Sequence, residues 1–337
     1  MRVARGIRTK DKGRKTKSVL PLDKLRVSCF AFFVLLFTSC TVIRVTQPVV
    51  KIGLVAPFEG EYRYVGYDAI YAARLAVRQA NAAGGVARRA GRTVELVAYD
   101  DRGTIEGARA AAYSLTRDPQ VIAVVGHFRD ETTAAARPIY KRAGLPLIGA
   151  GMVEGGTDDW LCPLLEYLGG QLDAGMVGTM GPEVAWSPCA LELFLIEGVL
   201  PPAGVEALVL SGDPVSAGER LRFLRELGWG ARVAGGPALG SPLFAAIAGE
   251  HVEGVLFATP YRWPEPDGAD AAFSAAYQAV GPHVPPPGPF ALTTYETMQG
   301  LLADIADGRT PSAAGAPAAG VYLYRRGVDD RLERLHP

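Results

Sequence analysis

The sequence predicts an α/β fold built on parallel, doubly wound sheets. Short apolar runs rich in Val, Ile and Leu are typical of strands covered on both faces, and they alternate with amphipathic helical segments. The alternation appears in two blocks, one before residue 150 and one after residue 206. Regular strand–helix succession of this kind indicates parallel strands with helices on both faces.

The first block contains seven predicted elements, and Gly84-Gly85 ends the first helix. In chain order they are a strand Val49–Val55, a helix Tyr67–Ala83, a strand Thr93–Tyr99, a helix Glu106–Arg117, a strand Val121–Val125, a helix Asp130–Ala143 and a strand Leu147–Ile148.

The second block repeats the alternation and ends in two further helices. Its predicted elements are Ala207–Leu210, Ser216–Leu227, Arg232–Ala234, Pro242–Ala248, Gly254–Ala258, Asp270–Val280 and Thr293–Asp307. Residues 151–204, between the blocks, show no clean period, and Ala190–Val199 fits a helix or a strand. Two proline- or glycine-rich stretches, 285–289 and 308–320, are predicted as surface loops.

Charge is distributed unevenly along the 337 residues. Residues 1–40 contain ten Lys or Arg and two acids, which leaves 25 basic and 33 acidic residues, a net charge of −8, for the remainder. A nucleic-acid-binding domain needs basic clusters on its folded part, so no nucleic-acid partner is predicted.

The basic N-terminus and the apolar run that follows it are typical of an export signal. The run VSCFAFFVLLFTSC is shorter than the roughly 20 residues that span a bilayer. Its end, Phe37-Thr38-Ser39-Cys40, resembles a bacterial lipoprotein signal in which the cysteine becomes the lipidated mature N-terminus. Residues 1–40 are therefore predicted to be a signal peptide with lipid attachment at Cys40, and an uncleaved anchor helix is the alternative.

Two cysteines, Cys162 and Cys189, remain in the exported part. In an oxidising compartment a pair is more often bridged than reactive. Their spacing matches no metal motif, so a disulfide and two buried thiols remain the alternatives.

The stretch VVGHFRDETT, residues 124–133, is a candidate site because it links a buried strand to a helix. Such loops at the carboxyl ends of parallel strands form the ligand crevice of open α/β sheets. Asp130 is expected to cap the helix, with Glu131 complementing its dipole. Each residue also has a structural alternative: His127 and Phe128 as core residues, and Arg129 as a solvated charge.

Enzyme motifs are not found. The glycines that follow Ile148 lack a nucleotide-binding fingerprint, Ser211 lacks a nucleophile-elbow pattern, and the four histidines lack metal-ligand spacing. No catalysis, metal or cofactor is therefore predicted.

Three stretches carry a resemblance to a known family: KIGLVAPFEGEYRYVGYDAIYAARLAVRQANAAGGV, GRTVELVAYDDRG and VVGHFRDETTAAARPIYKRAGLPLIGAG. They resemble the branched-chain amino-acid-binding proteins, the type I periplasmic solute-binding proteins of ABC importers. The segment from Ala207 to Tyr261 is similar to the later units of that family's second lobe.

The resemblance implies two Rossmann-like lobes that close on a ligand. The first lobe would comprise 48–155 with 259–311, and the second, shortened lobe would comprise 156–258 with 320–335. The family's ammonium-binding acid falls at Ala238, its aromatic contacts near Val65 and Leu210, and its hydroxyl after the fourth strand at Met152. Expected ligand-binding residues are Phe58, Tyr64, Phe128, Arg129, Glu131, Thr132, Gly151, Asp213 and Tyr261.

Two functions follow from these expectations. The first is a lipid-anchored solute-binding protein that serves an ABC permease and binds a small polar solute of the amino-acid or amide type. The second is an envelope lipoprotein that kept the fold as a regulator or scaffold. The shortened second lobe and the lost ammonium contact favour the second; the export signal and the resemblance favour the first.

Overall fold

The computed structural model describes residues 49–86, 91–150, 157–181, 189, 193–311, 320–328 and 331–336. The predicted signal, including Cys40, and the predicted ligand residue Gly151 lie outside these ranges. Within the described residues, no helix is long and apolar enough to cross a membrane.

The first sheet has four parallel strands in the order β2-β1-β3-β4. Its strands are β1 (Val49–Ala56), β2 (Thr93–Asp100), β3 (Val121–Gly126) and β4 (Leu147–Ile148). The helices between them are α1 (Arg63–Ala82), α2 (Ile105–Thr116) and α3 (Asp130–Ala143).

Helices cover both faces of this sheet, as the β-branched strands predict. Leu115 of α2 and Tyr140 of α3 pack against Val55 and Val124 on one face. Helix α1 covers the other face together with a helix from late in the chain, α8 (Pro289–Asp307), and α7 (Ala271–Gln278) packs on α1.

The second sheet has seven strands in the order β11-β10-β9-β8-β7-β5-β6. Five strands are parallel: β5 (Val177–Met180), β6 (Leu193–Leu195), β7 (Ala207–Leu210), β8 (Arg232–Gly235) and β9 (Leu256–Thr259). The last two, β10 (Tyr322–Arg326) and β11 (Leu332–His336), pair antiparallel and add an antiparallel edge to the parallel strands.

Three helices pack on the second sheet. Helix α4 (Thr157–Gly170) covers one face, while α5 (Pro214–Glu226) and α6 (Pro242–Ala248) cover the other. A 3₁₀ turn, Pro237–Gly240, lies between β8 and α6, and a second one, Gly249–Val252, follows α6.

The segment 151–204 is more regular than predicted, because it contains α4, β5 and β6. Leu161, Leu164, Leu165 and Leu168 of α4 are buried at helical spacing. Pro163 lies inside this helix, and because proline is rare in helix interiors, it obscured the helical spacing of these leucines in the sequence. Residues 193–195 form a strand, which resolves the helix-or-strand alternative for that part.

Of the two alternatives for the cysteines, a disulfide or two buried thiols, the structure has the disulfide. Cys162 of α4 is bonded to Cys189, with their Cα atoms 5.2 Å apart. Residues 47–337 form one compact unit, so the division into two moving lobes, with the limits given above, stays a prediction.

Candidate functional site

The loop after β3 begins at a glycine that the backbone requires. Gly126 has a φ of +121°, and a Cβ atom there would lie 2.1 Å from the Val55 carbonyl oxygen. Only a glycine fits at this position, where the chain leaves the sheet edge and continues to His127 and Phe128.

His127 is a fully buried residue that joins two loops. Its Nδ1 lies 2.7 Å from Asp101 Oδ2, and its Nε2 lies 3.3 Å from the Tyr140 hydroxyl. Burial, and then the Asp101 carboxylate, raise the pKa of Tyr140 far above its usual value. The histidine is therefore a core residue paired with a carboxylate, in line with its structural alternative.

Arg129 occupies the N-cap position of α3, which the sequence assigned to Asp130. The Arg129 side chain makes no cap hydrogen bond, and Asp130 is the first helical residue, so the N-cap lies one residue earlier than expected. The Arg129 guanidinium donates to the Gly103 carbonyl (2.7 Å) and lies 4.6 Å from the centroid of Tyr62. It therefore connects the loop after β3 to the loop after β2.

The two threonine hydroxyls of the first turn are engaged by the backbone. Thr132 Oγ1 donates to the Arg129 carbonyl (3.0 Å), and Thr133 Oγ1 donates to the His127 carbonyl (3.1 Å). Thr132 is fully buried. Both hydroxyls thus shape the loop, and Thr133 also reaches the cavity beside it.

A cavity of about 540 Å³ lies at the carboxyl edge of the first sheet. Its lining residues come from the loop after β3, one face of α3 and the end of β4, namely Gly126, His127, Asp130, Thr133, Ala134, Arg137, Leu147 and Gly149. Residues 130, 133, 134 and 137 follow helical spacing and share a face of α3. Glu131 and Thr132 lie off that face, and the Glu131 side chain is 65% exposed, 4.0 Å from Arg129.

Phe290 of α8 is the centre of an aromatic cluster. Its ring centroid lies 4.9 Å from that of Tyr261, 6.0 Å from Phe128 and 6.3 Å from Tyr64. Three of the predicted ligand residues are thus brought together around a residue that the sequence did not single out. Phe58 instead contacts Tyr67 at 6.4 Å.

Residues associated with both sheets meet next to this cluster. Tyr64 of α1 and Phe290 of α8 line a narrow pocket together with Gly240 of the 3₁₀ turn, Ser241, which caps α6, and Thr259 of β9. The free volume is about 10 Å³, room for little more than a water molecule. Residues associated with both sheets therefore lie around this pocket.

Asp213 caps α5. Its carboxylate accepts hydrogen bonds from the amides of Val215 (2.9 Å) and Ser216 (3.0 Å) and from the Ser216 hydroxyl (2.6 Å). Burial raises its pKa, but these bonds outweigh burial, and the net pKa is below its usual value. Asp213 lines none of the three cavities described here.

A second large cavity, about 510 Å³, lies where β5 and β6 end. Glu197, Glu219 and Arg220 are its charged lining residues, and Met180, Val199 and Phe223 are among its apolar ones. Across the described residues, no three His, Cys, Asp or Glu side chains are grouped so that they could bind a metal ion.

Residues 49–178 and 201–319 match the family model described as periplasmic binding protein. The chain belongs to the periplasmic binding protein family. The prediction of a periplasmic binding protein with an α/β fold is thereby confirmed.

Solved structures and one curated protein are similar to this family member. LivJ from Streptococcus pneumoniae, in complex with isoleucine, has a TM-score of 0.67 at 21% identity, covering 86% of this chain and 100% of LivJ. A leucine-binding protein, LivK, from Thermotoga maritima has a TM-score of 0.65 at 17% identity, covering 86% and 98%. At these identities the likeness shows the fold.

The curated protein is an amino acid binding protein from Pseudomonas aeruginosa. It is 35% identical over 102 residues, which are 30% of this chain and 26% of that protein. This periplasmic binding protein therefore matches about a quarter of the length of its curated relative.

Proposed function

We propose that this periplasmic binding protein is an extracytoplasmic receptor that binds a small polar solute between its two sheets and delivers it to an ABC permease. The observation that carries the proposal is the cavity of about 540 Å³ at the carboxyl edge of the first sheet. Tyr64 and Phe290 line a narrow pocket with Gly240 and Ser241, so residues associated with the second sheet also lie close to the first. Open α/β sheets bind ligands at the carboxyl edges of their strands. The named amino-acid-binding relatives support solute binding over the scaffold alternative.

The charges around the first-sheet cavity favour a solute that presents a neutral or cationic group to α3. Asp130 lies in the first turn of the helix and lines the cavity, and Arg137 lines it two turns later. A carboxylate placed at the helix N-terminus would meet the fixed charge of Asp130, which opposes the attraction of the helix dipole. An amine or amide group would instead be stabilised there. We therefore propose a small polar amine or amide that lacks a free carboxylate and binds with its nitrogen near Asp130.

We expect a thermal-shift panel of L-leucine, L-leucinamide, putrescine and glucose to give its largest shift with L-leucinamide or putrescine. Asp130→Asn should lower the affinity for that compound by roughly tenfold or more, because a charge-assisted hydrogen bond contributes about 2 kcal/mol. We propose Asp130 in place of Glu131, the acid that the sequence suggested, because the Glu131 carboxylate is exposed and lies off the cavity face; Glu131→Gln is therefore the matched control. It should change the affinity less than about twofold.

Two results would contradict this assignment. Tight binding of L-leucine would remove the electrostatic argument, and equal affinity of the wild type and Asp130→Asn would remove the carboxylate from the site. A chain that binds none of these compounds, and no others in a wider solute panel, would support the scaffold alternative instead.

We also propose that Cys40 is acylated after removal of the signal. A single acyl chain binds membranes marginally, at about 0.8 kcal/mol per buried methylene, so stable anchoring needs the diacylglycerol and a further chain. Mass spectrometry of protein extracted from membranes should find a modified Cys40 as the first residue. An intact residue 1, or a soluble unmodified N-terminus, would contradict the anchor.

A further inference from the structure

Arg326 is a cation buried in the second sheet. The residue is 2% exposed and lies at the end of β10. Its Nε donates to the Leu239 carbonyl (2.9 Å), and its Nη2 donates to the Ser241 carbonyl (3.0 Å). The guanidinium therefore binds two carbonyls of one short segment more than 80 residues earlier in the chain.

Two aromatic rings also lie close to this guanidinium. Its central carbon lies 5.6 Å from the ring centroid of Phe244 and 5.8 Å from that of Phe257. Burial lowers the pKa of Arg326 to about 10, which still leaves the side chain charged at neutral pH. Burying a charge is costly, and an apolar side chain of similar volume is often neutral or stabilising in such a place. The two hydrogen-bonded carbonyls indicate that the charged side chain holds the segment that carries them.

The segment that Arg326 binds has little support of its own. It consists of one 3₁₀ turn, Pro237–Gly240, and the N-cap Ser241 of α6. Leu239 N–H donates to the Gly236 carbonyl, and Ser241 N–H donates to the Ala238 carbonyl. A 3₁₀ turn has poorer hydrogen-bond geometry than an α-helix. Leu239 is also buried in the core, and the Ser241 hydroxyl caps α6, so the two bonds from Arg326 add a polar contact to a segment that is otherwise held by packing and by one cap.

This same segment lines the pocket where the two sheets meet. Pro237, Gly240 and Ser241 face Tyr64 and Phe290 across it. The fit at Gly240 is close, because a Cβ atom there would lie 2.6 Å from the Trp263 ring and 2.8 Å from the Phe257 ring. A shift of the turn would change the pocket directly.

We propose that Arg326 is a positioning residue that fixes the second-sheet side of the solute site by binding the carbonyls of Leu239 and Ser241. The expected effect of Arg326 on solute affinity rests on the proposed function. Its expected effect on the position of the turn does not depend on that function. One consequence is that a strand close to the end of the chain determines the shape of the pocket.

The test is hydrogen exchange of the full chain, purified in detergent, as the wild type, Arg326→Met, Arg326→Lys and Arg325→Met. Arg325 is the matched control, because it is the preceding residue of β10 but pairs with Glu333 at the exposed surface. In Arg326→Met, amides of 236–243 should exchange roughly tenfold faster, while those of 121–126 and 207–210 stay unchanged. Arg326→Lys should give a smaller increase at 236–243, and Arg325→Met none.

Two exchange results would overturn the proposal. One is that the amides of 236–243 exchange in Arg326→Met at the same rate as in the wild type. The other is an equal increase at 207–210, which would show general loosening of the sheet. If Arg326→Met does not fold, Arg326→Lys decides the matter: faster exchange confined to 236–243 supports the proposal, and unchanged exchange overturns it.

The affinity for L-leucinamide tests the role of Arg326 in the solute site separately from its role in positioning the turn. If the wild type binds it, Arg326→Met should bind it at least about tenfold more weakly and Arg325→Met within about twofold. Equal binding by the wild type and Arg326→Met would overturn the role in the site. If the wild type binds none of the four panel compounds, the proposed solute class fails, and the exchange data still decide whether Arg326 positions the turn.

Discussion

Raising the pH from 4 to 8 is expected to remove up to about 4 kcal/mol of stability through one carboxyl group, Asp68. This α1 residue is buried and accepts hydrogen bonds from the backbone amides of Gly288 (3.2 Å) and Phe290 (3.3 Å). It thereby caps α8, whose own N-cap residue Gly288 makes no side-chain cap. The interaction joins α1 to the helix that carries Phe290.

The sign of the effect follows from the pKa shift. Burial raises the pKa of Asp68 from 3.8 to about 7, although the two backbone hydrogen bonds lower it. Because the folded-state pKa is above the unfolded one, the stabilisation is complete below about pH 4 and is lost as the pH rises through 7. The size follows from about three pKa units at about 1.4 kcal/mol each.

Urea unfolding of the wild type and Asp68→Asn between pH 4 and 8 measures this contribution. The wild type should lose stability relative to Asp68→Asn as the pH rises. Asp118→Asn is the control, because Asp118 lies at the surface, pairs with Lys51 at 2.8 Å and has a lowered pKa. Parallel pH profiles for the wild type and Asp68→Asn would contradict the prediction.

Reduction of the Cys162–Cys189 bond is expected to lower the free energy of unfolding by about 3 to 4 kcal/mol. The bond closes a loop between positions 27 residues apart, and this cross-link restricts the unfolded chain. Cys189 also packs on the cluster formed by Trp160, Leu161 and Leu164, so the bond and this packing together attach Cys189 to α4.

Urea unfolding with and without a reductant measures this difference, and the Cys162→Ser, Cys189→Ser double variant should match the reduced protein. Peptide mapping after thiol labelling of the denatured, unreduced protein should find both cysteines unlabelled. Labelled Cys162 and Cys189 in exported protein, or an unchanged unfolding midpoint on reduction, would contradict the prediction.

Local patterns predicted the first sheet well, because its strands and helices carry their own signals. Val121–Val125 is a β-branched run ended by a glycine, and the helix that follows was predicted with the bounds that it has. Helix α4 was missed for a local reason too, since Pro163 interrupts a run of leucines that does have helical spacing.

The site was harder to predict because its arrangement depends on helix phase and on long-range contacts. Each helical residue rotates the side-chain direction by about 100°, so Asp130 lines the cavity while its neighbour Glu131 does not. Phe290 and Arg326 lie more than 150 residues beyond the loop after β3, and no local pattern connects them with it. The sequence suggested Phe128, Tyr64 and Tyr261 as ligand residues, and whether a solute contacts them stays a prediction.

The central claim, that a solute binds between the two sheets, is tested most directly by hydrogen exchange with and without each of the four panel compounds. A compound that binds as proposed should slow exchange in 127–134 of the first sheet's loop and in 236–243 of the second sheet's turn, with the same concentration dependence. Protection of one segment alone, or protection in neither segment by a compound that raises the melting temperature, would contradict the account.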